Sequence, residues 1–281
     1  MGPSAQYRRT FDKLPIQLYV ASLEGLAHAV STTLDAGADV NAQGGAYGNA
    51  LQAASSGGHE KVVQMLVDAG ADVNAQGGLD GNALYAASYR GHEKVVQMLV
   101  DAGADVNAQG GLDGNALYAA SYRGHEKVVQ MLVDVGVDVN AQGGAYGNAL
   151  QAALFEGHEK VVQMLVDAGA DVNAQGGYYG NALQAASSEG HEKAASSEGH
   201  EKVVQMLVDA GADVDTQGVF EGNVLYVASS EGHEKVVQML VDAGADVNAE
   251  GGYYGNALQA ASNGGHEKVV HMLVDAGSQT V

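Results

Sequence analysis

Seven histidines, His59, His92, His125, His158, His200, His233 and His266, each open a stretch reading HEKVVQMLVDAG or a near variant. Imidazoles beside carboxylates are what zinc sites and acid–base catalysts are made from. Spacing argues against both here. The histidines are thirty-three residues apart, or forty-two between His158 and His200. Equivalent residues of stacked helical units lie roughly 10 Å apart. Zinc ligands sit about 2.0–2.1 Å from the ion, so neighbouring units cannot share one. His266 and His271 are five apart, which on a helix turns them about 140° from each other and misses the His-Glu-x-x-His pattern. The expected role of each histidine is a hydrogen bond that anchors the turn before the following helix.

Other chemistry is also absent from the pattern. The chain has no Cys, hence no thiolate zinc site and no disulfide framework. The Gly-Gly-Tyr-Tyr-Gly stretches at 176–180 and 251–255 lack the spacing and the preceding strand of a dinucleotide fingerprint. No Gly-Lys-Ser/Thr phosphate loop occurs. Ser, His and Asp are present only as repeat copies, which makes poor candidates for a unique catalyst. The chain is therefore expected not to be an enzyme and to need no cofactor or metal.

What remains is recognition chemistry. Of 16 aromatic residues, 13 fall in three variable places, and none falls in the repeated stretch that starts at each histidine. The first place is the turn before each Gly-Asn pair: Tyr47, Leu79-Asp80, Leu112-Asp113, Tyr146, Tyr178-Tyr179, Phe220-Glu221 and Tyr253-Tyr254. The second is a Gln or Tyr just after it, with Tyr at 85, 118 and 226. The third is the end of the next short helix: Tyr89-Arg90, Tyr122-Arg123 and Phe155 among others. Tyr and Arg are the side chains most enriched in interface hot spots, and Tyr offers a large contact area with a polar tip. The expected partner-binding set is Tyr47, Leu79, Asp80, Tyr85, Tyr89, Arg90, Leu112, Asp113, Tyr118, Tyr122, Arg123, Tyr146, Phe155, Tyr178 and Tyr179. For Tyr85, Tyr118 and Tyr226, half-buried packing is an equal alternative.

The elements that must position these residues follow from one unit, 48–80. Asn49 is a good helix N-cap. Ala50 to Ser56 reads as a short helix, and Gly57-Gly58 breaks it. His59 to Ala69 reads as a second helix, with Glu60, Gln64 and Asp68 on a polar face and Val62, Val63, Met65, Leu66 and Ala69 opposite. Gly70 then supplies a left-handed stop. The two helices run antiparallel, and Ala71 to Asp80 forms a Gly-rich turn or hairpin.

A helix–turn–helix with a hairpin at a period of thirty-three resembles the ankyrin repeat. Gly58-His59, Val62-Val63, Leu66 and Gly70-Ala71-Asp72-Val73-Asn74-Ala75 carry the resemblance. Asn49-Ala50-Leu51-Gln52 stands where that family has Thr-Pro-Leu-His, so its proline and its buried histidine are missing. The Gly-Asn-Ala-Leu-Gln-Ala-Ala variant is similar to the C-terminal ankyrin arrays of fungal NOD-like (NACHT or STAND-type) receptors. The resemblance implies an all-α ankyrin-repeat solenoid of stacked helix-turn-helix units with β-hairpin or turn connectors. It also implies a concave groove, lined by hairpins and first helices, that binds protein.

Eight units are expected, at 15–47, 48–80, 81–113, 114–146, 147–179, 180–221, 222–254 and 255–281, after a tail at 1–14. The first has His28, Ser31, Thr32 and Thr33 where later units carry Lys, Gln, Met and Leu, as a polar terminal cap would. In the sixth, AASSEGHEK at 185–193 is repeated at 194–202. A surface loop there is preferred to a lengthened helix, because nine extra helical residues would turn the apolar face about half a revolution out of register.

The formal charge is −21, from 34 acidic and 13 basic residues. That excludes nucleic acid and anionic membrane as main partners, and solubility explains the charge more simply than steering of a basic partner. No apolar run is long enough to span a membrane, and Met1 to Lys13 has no secretory core or myristoylation signal. The expected setting is intracellular, most simply cytoplasmic. The expected function is a non-catalytic scaffold or recognition module that binds a protein or peptide in the groove. The alternative is weak self-association, end to end, through Val270, Leu273 and Val274.

Overall fold

The computed structural model describes residues 14–111, 114–178, 180–188, 197–217 and 222–278. The tail expected at the N-terminus, and Leu112, Asp113, Tyr179 and Phe220-Glu221, lie outside the described residues, apart from Leu14. Two compact units divide the chain after Gly144.

In the first unit, the first and second helices of each repeat alternate. They are α1 (Leu14–Leu23), α2 (Ala27–Asp35), α3 (Ala50–Ser56), α4 (Glu60–Asp68), α5 (Ala83–Arg90), α6 (Glu93–Asp101), α7 (Ala116–Tyr122) and α8 (Glu126–Asp134). Strands β1 (Gln109–Gly110) and β2 (Gly114–Asn115) lie between α6 and α7 and pair antiparallel. The second unit repeats the alternation as α9 (Ala149–Glu156), α10 (Glu159–Asp167), α11 (Ala182–Ser188), α12 (Ser197–Asp209), α13 (Val224–Ser230), α14 (Glu234–Asp242), α15 (Ala257–Gly264) and α16 (Glu267–Asp275). Among the described residues this is an all-α repeat of helix-turn-helix units, and only one connector forms strands longer than a single bridge.

Each compact unit has two helical layers. First helices pack on first helices (α1, α3, α5, α7, and separately α9, α11, α13, α15), and second helices likewise. Composition explains the two layers. The first helix is Ala- and Ser-rich, so neighbours approach closely on both sides, and all seven residues of α3 are buried. The second helix buries Val62, Val63 and Leu66 and keeps Glu60, Lys61, Gln64 and Asp68 in water. Each buried Val or Leu contributes about 1.5–3 kcal/mol. Met65 is only half-buried and Ala69 is exposed, because the apolar stripe is narrower than the sequence suggests.

The caps form as the residue types require. Asn49 Oδ1 accepts the Gln52 N–H at 2.9 Å, and Asn82, Asn115, Asn148, Asn181, Asn223 and Asn256 repeat the arrangement. The histidines behave differently from expectation. His59 makes no side-chain cap on its own helix. Its Nε2–H instead donates to the Leu23 carbonyl of the preceding unit at 2.9 Å, and His92, His125 and His266 reach back thirty-six residues in the same way. They tie units together rather than anchor a turn.

The connectors carry a second ladder. Asn41 Oδ1 accepts the Asp72 N–H at 2.7 Å, while its Nδ2 donates to the Gly70 carbonyl at 3.3 Å. Asn74 does the same with Asp105 and Gly103. Asp215 replaces the asparagine in the sixth repeat and keeps only the acceptor half, taking the Asp246 N–H at 2.8 Å.

Two expectations need correction or completion. Leu273 is fully buried, not exposed at the C-terminal end. It corresponds to Leu66, the buried leucine of the second repeat, and leaves half-buried Val270 and exposed Val274. In the sixth repeat, α12 spans 13 residues against nine in α4, so Ser197 to His200 extend the second helix. Residues 189–196, where the loop is expected, lie outside the described residues.

Candidate interaction face

The third residue of each first helix is Gln or Tyr, and both types reach the connector of their own repeat. Gln52 Nε2 lies 3.1, 3.1 and 2.9 Å from the carbonyls of Ala75, Gly77 and Gly81, to which it donates. Tyr19 Oη accepts the Tyr47 N–H at 3.2 Å, and Tyr226 Oη accepts the Tyr254 N–H at 3.1 Å. These bonds occupy the position left by the family's missing histidine. The choice also sets the connector. Following Gln52 and Gln151, the first connector glycine has φ +152° (Gly77 and Gly176). The second glycine, Gly78 or Gly177, is also at positive φ there, whereas following Tyr19, Tyr118 and Tyr226 only the second glycine is, Gly45, Gly144 or Gly252, near +75°. The tyrosine ring lies against this glycine, so closely that a β-carbon on Gly144 would overlap the Tyr118 ring.

This packing corrects two members of the expected contact set. Tyr85 and Tyr118 are each 4% exposed. Their rings are covered by the following connector, so they are packing residues, as is Tyr226. They still shape the surface, because each supports a neighbour. Tyr85 stacks on Tyr89 with centroids 6.2 Å apart, Tyr118 stacks on Tyr122 at 6.4 Å, and Tyr89 stacks on Tyr122 across the repeat boundary at 6.5 Å. Arg123 sits over the Tyr89 ring, 5.1 Å from its centroid. The result is a four-ring stack whose half-exposed members are Tyr89 and Tyr122, with Arg90 and Arg123 exposed at the same helix ends.

The connector tip adds Leu79, 71% exposed, and half-buried Asp80. Its backbone is fixed by the Leu79 N–H, which donates to the Ala46 carbonyl at 2.9 Å. Burial holds the Asp80 carboxyl above its ordinary value, and the Arg90 charge and a hydrogen bond with the Ser56 side chain pull it part of the way back. With the folded value raised, the folded protein binds this proton more readily than the unfolded chain. The ionised carboxylate therefore costs stability once pH rises through the raised value, and costs none below the ordinary carboxylate range. Asp80→Asn is expected to raise the urea midpoint at pH 7 and to leave it unchanged near pH 3. An equal gain at both values would assign the effect to packing instead.

Of the other expected contacts, Tyr47 is half-buried beside Tyr19. In the second compact unit, Tyr146 and Phe155 stack on each other at 4.0 Å, and Tyr178 is exposed. Leu112, Asp113 and Tyr179 lie outside the described residues. The expected set omits Tyr253 and Tyr254, a T-shaped pair at 5.0 Å in which Tyr253 is 91% exposed. Their place in the same variable turn as Tyr178 was the signal for them.

No group of His, Asp or Glu among the described residues is arranged to hold a metal ion. No helix there is long and apolar enough to cross a membrane.

Comparison with known proteins agrees with this geometry. Over 69 residues the chain is 60% identical to azaphilone pigments biosynthesis cluster protein L of Monascus ruber, an alignment that takes in 22% of this chain and 15% of that protein. The family model described as ankyrin repeats (3 copies) matches residues 18–110, 109–176 and 192–281. Such repeats generally mediate protein–protein interaction and are typically not enzymes. With nearly every repeat matched, the chain belongs to the ankyrin repeat family.

Proposed function

We propose that this chain is a non-catalytic, intracellular recognition module that binds a protein or peptide in the groove formed by its first helices and connectors. The carrying observation is the stack of Tyr85, Tyr89, Tyr122 and Tyr118 with Arg123 laid on it. Ring stacking of this kind fixes two half-exposed tyrosines before any partner arrives, which lowers the entropy cost of contact. The uniform second helices then act as the scaffold. The likeness of the Gly-Asn-Ala-Leu-Gln-Ala-Ala repeats to arrays in fungal NOD-like receptors supports the same reading. The test is selection of displayed random 12-residue peptides on the full chain, followed by measurement of the enriched peptides on Tyr89→Ala/Tyr122→Ala. Peptides whose binding ignores both substitutions would place recognition elsewhere.

A second reading, end-to-end self-association, is favoured by exposed Ile16, Val20 and Leu26 at the first repeat and Val274 at the last. Light scattering over about a hundredfold range of concentration separates the two. A constant mass of 28.7 kDa supports the recognition module, and a mass climbing in whole multiples supports stacking.

A further inference from the structure

We propose that the Tyr89–Tyr122 face takes an extended acidic peptide segment, with carboxylate side chains on Arg90 and Arg123 and an apolar side chain between them on the tyrosines. This rests on the recognition reading above and names its ligand class.

The argument starts from where the positive charge is. Against a formal charge of −21, the described lysines all lie on second helices, and Lys94, Lys127, Lys235 and Lys268 pair there with a glutamate one repeat back. Arg90 and Arg123 are the only other Lys or Arg side chains among the described residues. Both are exposed, and neither makes a direct ion pair among the described residues, in a chain with 34 carboxylates to choose from. Arg90 interacts with Asp80 across a longer gap.

A cation at a helix C-terminus is favoured by the helix dipole. That does not account for these two, because the equivalent positions hold Gly57, Glu156, Glu231 and Gly264. Beyond Arg8 and Arg9 in the N-terminal tail, arginine occurs only in the two successive repeats that also supply Tyr89 and Tyr122. Arg123 is held over an aromatic ring, an arrangement that orients the planar guanidinium while leaving its N–H edge free for a bidentate carboxylate.

Spacing narrows the ligand. Residues one repeat apart are roughly 10 Å apart, about three residues of an extended peptide at roughly 3.3 Å each. One guanidinium per repeat matches one carboxylate each. A phosphate, with its higher charge, calls for clustered arginines.

The test uses the peptide selection on the full chain, then fluorescein-labelled synthetic copies of the enriched sequence. The expected consensus has Asp or Glu at two positions two to four residues apart, flanking an apolar residue. Replacing those acids with Asn or Gln is expected to weaken binding at least tenfold on the wild type. On Arg90→Gln/Arg123→Gln, acidic and neutral peptides should bind alike. Consensus sequences without acids, binding that requires phosphorylation, or an acid preference that survives in the arginine variant would overturn the proposal. Neutral peptides that still need Tyr89 and Tyr122 would leave the recognition reading standing without it. Absence of any tyrosine-dependent peptide would overturn both.

Discussion

Tyr89→Ala combined with Tyr122→Ala is expected to weaken binding of a groove ligand at least tenfold while lowering stability only modestly. Truncating one hot-spot tyrosine typically costs 2 kcal/mol or more of binding, roughly thirtyfold. Tenfold for the pair is a lower bound that allows for a peripheral contact. The stability cost comes from three lost ring contacts, Tyr85–Tyr89, Tyr89–Tyr122 and Tyr118–Tyr122. Stacked aromatic pairs contribute about 0.5–1.5 kcal/mol each beyond burial, and half-exposed rings belong at the low end. The buried supports Tyr85 and Tyr118 remain in place, so the helices should keep their register. Titration of a labelled peptide, with a urea melt of the same variant, measures both effects. Loss of binding with a collapsed melt would show that the tyrosines act through the fold. Intact folding with intact affinity would remove this face from consideration.

Much of the architecture is legible in the chain because repetition supplies its own alignment. The helix read at Ala50 to Ser56 is found with those bounds, and the second helix differs by one residue at each end. The failures share a cause: single-unit reading does not see neighbours. His59 has a plausible local role before α4, yet its ring reaches Leu23 of the unit before it. Leu273 looks exposed if the last repeat is judged as an open end, yet it is as fully buried as Leu66. Tyr85 and Tyr118 are the instructive case. Their residue type alone suits contact or packing equally, and position decides: Tyr occupies the Gln52 place, whose side chain must meet a connector. Glycines in that connector leave room for a ring. Half-exposed Tyr89 and Tyr122, with exposed Arg90 and Arg123, were legible because they vary at the end of the first helix, outside the uniform stretch that builds the scaffold.

Gly78→Ala is expected to destabilise the protein by about 1 kcal/mol more than Gly70→Ala, although both glycines have positive φ, +68° and +86°. At Gly70 an added β-carbon meets nothing within 4 Å. Only backbone strain is incurred there, about 1–2 kcal/mol for an L-residue in the left-handed region. At Gly78 the same carbon would lie 2.1 Å from the Tyr47 carbonyl carbon and 2.3 Å from its oxygen. Those are backbone atoms of the preceding connector, with no flexible side chain to swing aside. Relief requires the connectors to part, which breaks the Leu79 N–H bond to Ala46 at 2.9 Å. Losing a partly covered backbone bond adds about 1 kcal/mol, and the displacement also moves Leu79 and Asp80, the tip of the proposed groove. Gly78→Ala should therefore weaken peptide binding as well as folding, whereas Gly70→Ala, on the far side of the second helix, should lower the melt alone. Equal losses of stability from the two substitutions would mean that the connectors slide freely past one another. The tip residues would then be adaptable contacts, and the rigid part of the face would end at the tyrosine stack.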